Sequence, residues 1–357
     1  MTGGGETRDV KTGDVDPVLG ETADRLLAKA STADAVEAAE AEGWCSAVWE
    51  PLAEAGFPWI SVSEEAGGAG GTLADAMAVL RCVGRHAAPV PLAETGVLGG
   101  WLAEAAGFSI PEGPVSVVPD PGALQLDSGR VRGEAVVAWG RHASAIHALV
   151  AAEGVWLVLA ARPAQLSITP GTNLAGEPRD RAVFDVPLVD VLHAEAPVGI
   201  DGDALRRRGA LSRVALAAGA LEALGDLTVE YAHQRHQFGR PIAAFQAVQH
   251  HLVTVAQAVA RASMAADLAV RALSRGDAAF GVAAARVVTD GAAAEATRAA
   301  HQAHGAMGVT REYRLHQYSR RLWAWSHEYG SSRWWRRSLG ATVAAGGADA
   351  LFATITR

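Results

Sequence analysis

Apolar residues recur at spacings of three and four from about Val18 to Ala106, and this period predicts helices over LGETADRLLAKA and ADAVEAAEAEGWCSAVWEPLAEAG. Gly56-Phe57-Pro58 ends the second of these. The glycine-rich run EEAGGAGG follows, and Thr72 or Asp75 stands ready to cap a helix that continues to about His86. PLAETGVLGGWLAEAAG adds one more. From about Pro111 to Val198 the texture changes to short valine-rich runs, among them PVSVVPDP, RVRGEAVVAWG, HALVAAEGVWLVLAA and RAVFDVPLVDV, divided by Gly, Pro and Asp turns. These predict a β domain of about 80 residues. From about Asp203 the helical period returns in three long segments, followed by a tryptophan-rich tail and a closing ATVAAGGADALFATI. Long helices joined by short corners predict a four-helix bundle. The predicted fold is therefore α+β: a polar tail (1–17), an N-terminal helical domain (18–110), a small middle β domain (111–200) and a C-terminal helical bundle (201–357).

Composition narrows the function classes. The chain has 357 residues, enough for several sub-domains with cores of their own, and a formal net charge of −8 that gives no reason to expect nucleic acid. Cys45 and Cys82 are too few for a disulfide framework and fit a reducing cytoplasm. No uninterrupted apolar run reaches the length of a membrane span, and no membrane partner is expected. The glycine-rich start, MTGGGETRDVKTGDVDP, lacks the apolar centre of a signal peptide and reads as a frayed tail.

Two stretches carry candidate chemistry. The first, RHQFGRPIAAFQAVQHH (235–251), joins two predicted helices. Gly239 suits a helix end and Pro241 a helix start, so neither requires a function. Arg235, Gln237, Phe238 and Gln246 leave two readings open: a dipole-complementing arginine beside a core plug, or an anion grip in which a guanidinium meets a pyrophosphate. The second, HQAHGAMGVTREYRLHQYSRR (301–321), ends a helix in a turn where Gly305 and Gly308 permit close backbone approach. His301 and His304 lack a third ligand at sensible spacing, so no metal site is expected.

Together the two stretches resemble the acyl-CoA dehydrogenase family. Arg235 to His250 follow its R-x-x-F-G-x-P-I-x-x-F-Q-x-x-Q-H corner, and Gln302, Gly305 and Gly308 follow its Q-x-x-G-G-x-G turn, with Ala306 in place of the second glycine. WEPLAEAGFPWISVSEEAGGAGG resembles the family's first helical domain, so the likeness covers nearly the whole chain. It implies FAD as cofactor, an acyl-CoA substrate desaturated between its α and β carbons, and an electron-transferring flavoprotein as acceptor. It also implies an oligomer, because the family uses this corner to grip FAD bound mainly by the neighbouring subunit. Arg235 would face the pyrophosphate, and Gln237, Phe238, Phe245 and Gln246 would line the nucleotide. The turn Gln302, Ala303, His304, Gly305 and Ala306 would hold the adenosine end.

The sequence departs from that pattern twice. The family's hydroxyl-bearing flavin loop is missing from PVSVVPDPGALQLDSG. The base expected before a Gly-Thr pair is also displaced: in SHEYGSSRWW, Glu328 stands one residue early, a turn of about 100° on a helix. The alternative base position, on the first bundle helix, falls at Gly209. Three readings follow. The chain is the catalytically incomplete member of a heterotetramer with a homologous subunit, of the kind associated with actinobacterial steroid and side-chain catabolism. Or it is a self-sufficient homotetrameric dehydrogenase with Glu328 as base. Or it is a flavin-free scaffold of the same fold. Trp323, Trp325, Trp334 and Trp335 are expected to divide between faces and pack within the bundle or against a partner. Arg320, Arg321, Arg336 and Arg337 are expected to be solvated or at an interface.

Overall fold

The computed structural model describes residues 15–274 and 278–355, so most of the predicted polar tail lies outside the described residues. The N-terminal domain is built from α1 (Pro17–Ala30), α2 (Ala33–Glu42), α3 (Ser46–Glu54) and α4 (Leu73–Arg85). Both residues named for the α4 cap take part: the Thr72 hydroxyl receives the Asp75 N–H, and the Asp75 carboxylate receives the Thr72 N–H in return. The segment expected to form one further helix instead opens as a fully buried π-helix, Ala93–Gly100, before α5 (Trp101–Ala106). Close packing suits glycines there: a Cβ on Gly96 would stand 1.9 Å from the Pro58 carbonyl oxygen. π-Turns of this kind concentrate at functional sites, and this one points the Glu94 side chain inward.

The middle domain contains two four-stranded sheets among the described residues. One has β1 (Val115–Val117) parallel to β4 (Ala145–Ala152), followed by β5 (Val155–Ala161) and β8 (Leu192–Glu195). The other is antiparallel, with β2 (Leu124–Asp127), β3 (Arg130–Ala138), β7 (Arg179–Pro187) and β6 (Ser167–Thr169) in that order. The period of two decides what each face meets. Along β4, Ile146, Ala148 and Val150 fill the core between the sheets. Leu149 on the opposite face joins the core of the helical domains, and the His147 Nδ1–H donates to the Gly99 carbonyl, 2.9 Å away.

The bundle is α6 (Gly202–Gln234), α7 (Gln246–Ser274), α8 (Ala278–His304), α9 (Leu315–Trp325) and α10 (Ser332–Ile355), the last interrupted at Gly347, where φ is +73°. The tryptophan-rich tail is thus divided between α9 and α10, and α10 runs on into the closing segment, inside which the kink lies. With 33 residues, α6 is about 50 Å long at 1.5 Å per residue. It is buried on nearly every side for its first two thirds because α4, α7, α8 and α9 all pack on it. α7 is different. By length and composition Gln246–Leu273 is apolar enough to cross a membrane, although polar residues interrupt it, and only 28% of its most apolar window is buried. Val253, Met264 and Leu268 lie exposed along its outer side.

Candidate functional site

Glu328 sits in the turn between α9 and α10, where the three domains meet. One carboxylate oxygen receives the Arg179 Nε at 2.7 Å and lies 2.6 Å from a terminal nitrogen of the same guanidinium. The other receives the Arg213 Nε at 2.6 Å. Arg213 also donates to Glu94 in the π-helix. Arg179, at the start of β7, reaches Glu177 at 3.2 Å. Glu177 in turn receives the Trp325 indole N–H at 3.1 Å and faces Arg321 at 3.3 Å. The chain of charges ends at Glu40 on α2, whose two carboxylate oxygens both accept from an Arg320 terminal nitrogen at 2.7 Å. Signs alternate along the whole path, as buried charges require.

This setting fixes what Glu328 can do. Burial raises a carboxyl's pKa, but the charges and hydrogen bonds of Arg179 and Arg213 outweigh it and bring the Glu328 carboxyl down to about 2. A carboxylate so stabilised is a weak proton acceptor, whereas a general base works best near the operating pH. The second position considered for a base is filled: a Cβ on Gly209 would lie 2.2 Å from the Tyr329 ring. Tyr329 holds a left-handed φ of +54°, and its ring lies under the Arg213 guanidinium, 5.2 Å from centroid to Cζ. Burial pushes the Tyr329 phenol well above its usual range.

Below Glu328 the structure is closed. Arg179 lies over the buried Trp139 ring at 5.0 Å, and the space between Glu94, Trp139, Glu177, Arg179, Arg213 and Trp325 amounts to about 10 Å³, no more than one water requires. Above Glu328 a cavity of about 580 Å³ opens between the β domain and the bundle, with Val117, Asp120, Asn173, Arg206 and Trp334 in its walls. The link between β1 and β2 that borders it, residues 118–123, contains no serine or threonine. The hydroxyl side chains expected of the flavin loop are thus absent from this link.

The predicted nucleotide residues lie elsewhere. α6, α7 and α8 run antiparallel, so the corner after α6 and the turn after α8 fall at one end of the bundle. The Tyr231 hydroxyl donates to the His304 carbonyl at 3.3 Å and ties the two together. His236–Gln237 and Arg240–Pro241 pair as a hairpin, with Phe238 (φ +51°) and Gly239 (φ +77°) at its tip, the left-handed pair that two-residue hairpins favour. Phe238 is 91% exposed and meets only Phe245, edge to face at 6.0 Å; Arg240 covers the other ring at 4.2 Å. Arg235, Gln237, Gln246, Gln302, Gly305 and Ala306 are exposed, and Phe245 is half-buried. Ala303 and His304 point inward instead. His304 stacks on Tyr231 at 4.4 Å and bonds the Ala300 carbonyl through Nδ1; burial lowers its pKa and keeps it neutral. His301 meets the Ser319 hydroxyl at 3.1 Å. The corner is far from Glu328: 22 residues of helix separate Arg213 from Arg235, about 33 Å.

The tryptophans divide as their spacing predicts. Trp325 and Trp335 are buried, while Trp323 and Trp334 are exposed. Arg321 departs from expectation, being fully buried, because Glu177 and Glu40 supply its countercharge. Sequence reasoning missed Glu94, Glu177, Arg179 and Arg213. The available signal was Arg213 itself, a single charge within the apolar run GALSRVALAAGAL.

Residues 18–107 match the family model described as acyl-CoA dehydrogenase, N-terminal domain, and residues 207–357 match acyl-CoA dehydrogenase, C-terminal domain. The chain is 32% identical over 308 residues to acyl-CoA dehydrogenase IpdE2 of Mycobacterium tuberculosis, covering 85% of this chain and 89% of that protein. It is 31% identical over 328 residues to acyl-CoA dehydrogenase FadE34 of the same organism, covering 87% of this chain but 44% of FadE34, so the chain spans less than half of that relative. A solved structure, the ChsE4-ChsE5 complex from Mycobacterium tuberculosis, superposes with a TM-score of 0.81 at 20% identity over 94% of this chain and 99% of the other.

Proposed function

Given that the chain belongs to the acyl-CoA dehydrogenase family, whose members are FAD-dependent oxidoreductases acting on acyl-CoA thioesters, we propose that it is the non-catalytic half of a paired enzyme. In this reading a homologous chain provides the flavin-ring seat and the proton-accepting carboxylate. This chain lends Arg235, Gln237, Phe238 and the exposed Gln302, Gly305 and Ala306 to the neighbour's FAD. An electron-transferring flavoprotein removes the electrons. The observation that carries the reading is the state of Glu328, held between two guanidiniums above a closed interior.

Three further features support it. The nucleotide corner is too far from Glu328 for both to serve one small site within the chain. Phe238 presents an aromatic face with nothing on it. The exposed apolar side of α7, next to the corner, suits cover by a partner subunit better than water. A structural neighbour that is a two-component complex agrees with this arrangement.

One observation favours a second reading, the self-sufficient dehydrogenase with Glu328 as base: the cavity of about 580 Å³ does open onto that residue. Flavin stoichiometry separates the two. The chain is purified alone and together with a homologue encoded beside it, and bound flavin is read by absorbance and by bleaching with acyl-CoAs under anaerobic conditions. The paired reading expects flavin only in the complex, near one per two chains. A lone chain that is yellow and bleaches overturns it.

A further inference from the structure

A second large cavity, about 700 Å³, lies between α4, α6 and α7. It is separate from the Glu328 site. Arg213 faces that site, whereas Leu211, Val214 and Ala215 on the same helix face the cavity, as a step of about 100° per residue allows. Its floor is apolar and built largely of short side chains: Ala74 and Ala78 from α4, Ala215 from α6 and Ala266 from α7, with Met77 and Val270 beside them. Short side chains at these facing positions leave the space between the three helices unfilled, and the volume falls within the range of ordinary small-molecule sites.

The rim is charged. Three of the lining residues are arginines and two are carboxylates. Arg81 is held by Glu222 through Nε at 2.9 Å and by Asp267 at 3.0 Å. Arg85 is held by Asp226 at 2.8 Å, with Glu222 behind it at 3.8 Å. The Ser263 hydroxyl completes the Glu222 contacts at 2.9 Å. These pairs leave no carboxylate for Arg271, which stands exposed at the edge without an ion-pair partner among the described residues. The site thus offers an apolar bed with one spare guanidinium at its mouth.

We propose that this cavity binds an amphipathic monocarboxylate, with its apolar body between α4, α6 and α7 and its carboxylate against Arg271. The site is independent of the flavin corner and of Glu328. The test is calorimetric titration of the purified chain with decanoate, with decanol as the uncharged comparison. Saturable binding of decanoate that is at least tenfold tighter than that of decanol is expected. Ala78→Phe, which fills the floor from a half-buried position, should abolish binding. Arg271→Glu, at an exposed position that does not endanger folding, should weaken it at least tenfold. Arg235→Ala should leave it unchanged, which separates this site from the flavin reading. No saturable binding by the parent chain, equal binding of decanol, or full binding by the Arg271→Glu variant would overturn the proposal.

Discussion

Arg213 holds Glu328 at 2.6 Å across the seam between the first bundle helix and the turn that ends α9. The same guanidinium reaches Glu94, so a single side chain bridges two carboxylates from two other parts of the chain. Burial favours the neutral form of Arg213, yet the two acids raise its pKa well above the usual value.

Removing that cation should therefore be severe. Arg213→Leu strands Glu94 and leaves Glu328 with one partner, and breaking a buried pair in this way costs about 3–5 kcal/mol. The urea midpoint of the isolated chain should fall sharply. Arg213→Lys, which retains the charge but loses the two-armed geometry, should fall less. An unchanged midpoint for the leucine variant would mean that the network contributes nothing.

The network also sets an acid limit. The Glu328 carboxyl is depressed in the folded chain, from an ordinary 4.5 to about 2. Its contribution is therefore present in full above the unfolded value and is lost as pH falls from about 4.5 through about 2. Thermal stability measured from pH 6 to pH 2.5 should decline over that window, and part of the decline should vanish in Glu328→Gln.

Gly209 should tolerate no side chain. A methyl group there would overlap the Tyr329 ring, and overpacking of this kind costs about 1–3 kcal/mol. Gly209→Ala should lower the melting temperature, and Tyr329→Ser in the same chain should recover part of the loss, because residues in contact are not additive.

The corner should behave in the opposite way. Arg235 is exposed, so Arg235→Ala should leave the melting curve of the lone chain unchanged. In the co-purified pair it should weaken FAD retention about tenfold, the loss expected when one charge-assisted bond to a phosphate is removed. Equal flavin content in both complexes after dialysis would count against the shared-cofactor reading.

The parts of this structure that were legible in the sequence are those governed by local rules. The helical stretch of α6, the Thr72 cap and the valine-rich strands all follow from neighbours a few residues apart, whereas Gly239 and Pro241, expected at a helix end and a helix start, lie instead in a hairpin between α6 and α7. What escaped is governed by distant ones. Arg213 meets Glu94 across 119 positions and Glu328 across 115, and no periodicity announces such pairs. Arg321 was expected in solvent or at an interface for the same reason, since Glu177 becomes its partner only once the β domain docks. His304 lies in a motif that resembles a ligand turn, yet Tyr231, stacked at 4.4 Å, and Tyr313, tilted against it at 5.0 Å, draw its ring inward.

The length of α6 also acts as a phase constraint. The helix fixes Arg213 at one station and Arg235 at another, and each added or lost residue swings the far station by about 100° while sliding it 1.5 Å. A single deletion between the two stations would aim the corner at a different side of the bundle. Steps of about seven residues, close to two full turns, would restore the angle but still slide the far station by about 10 Å. This segment should therefore accept substitutions far more readily than changes in length.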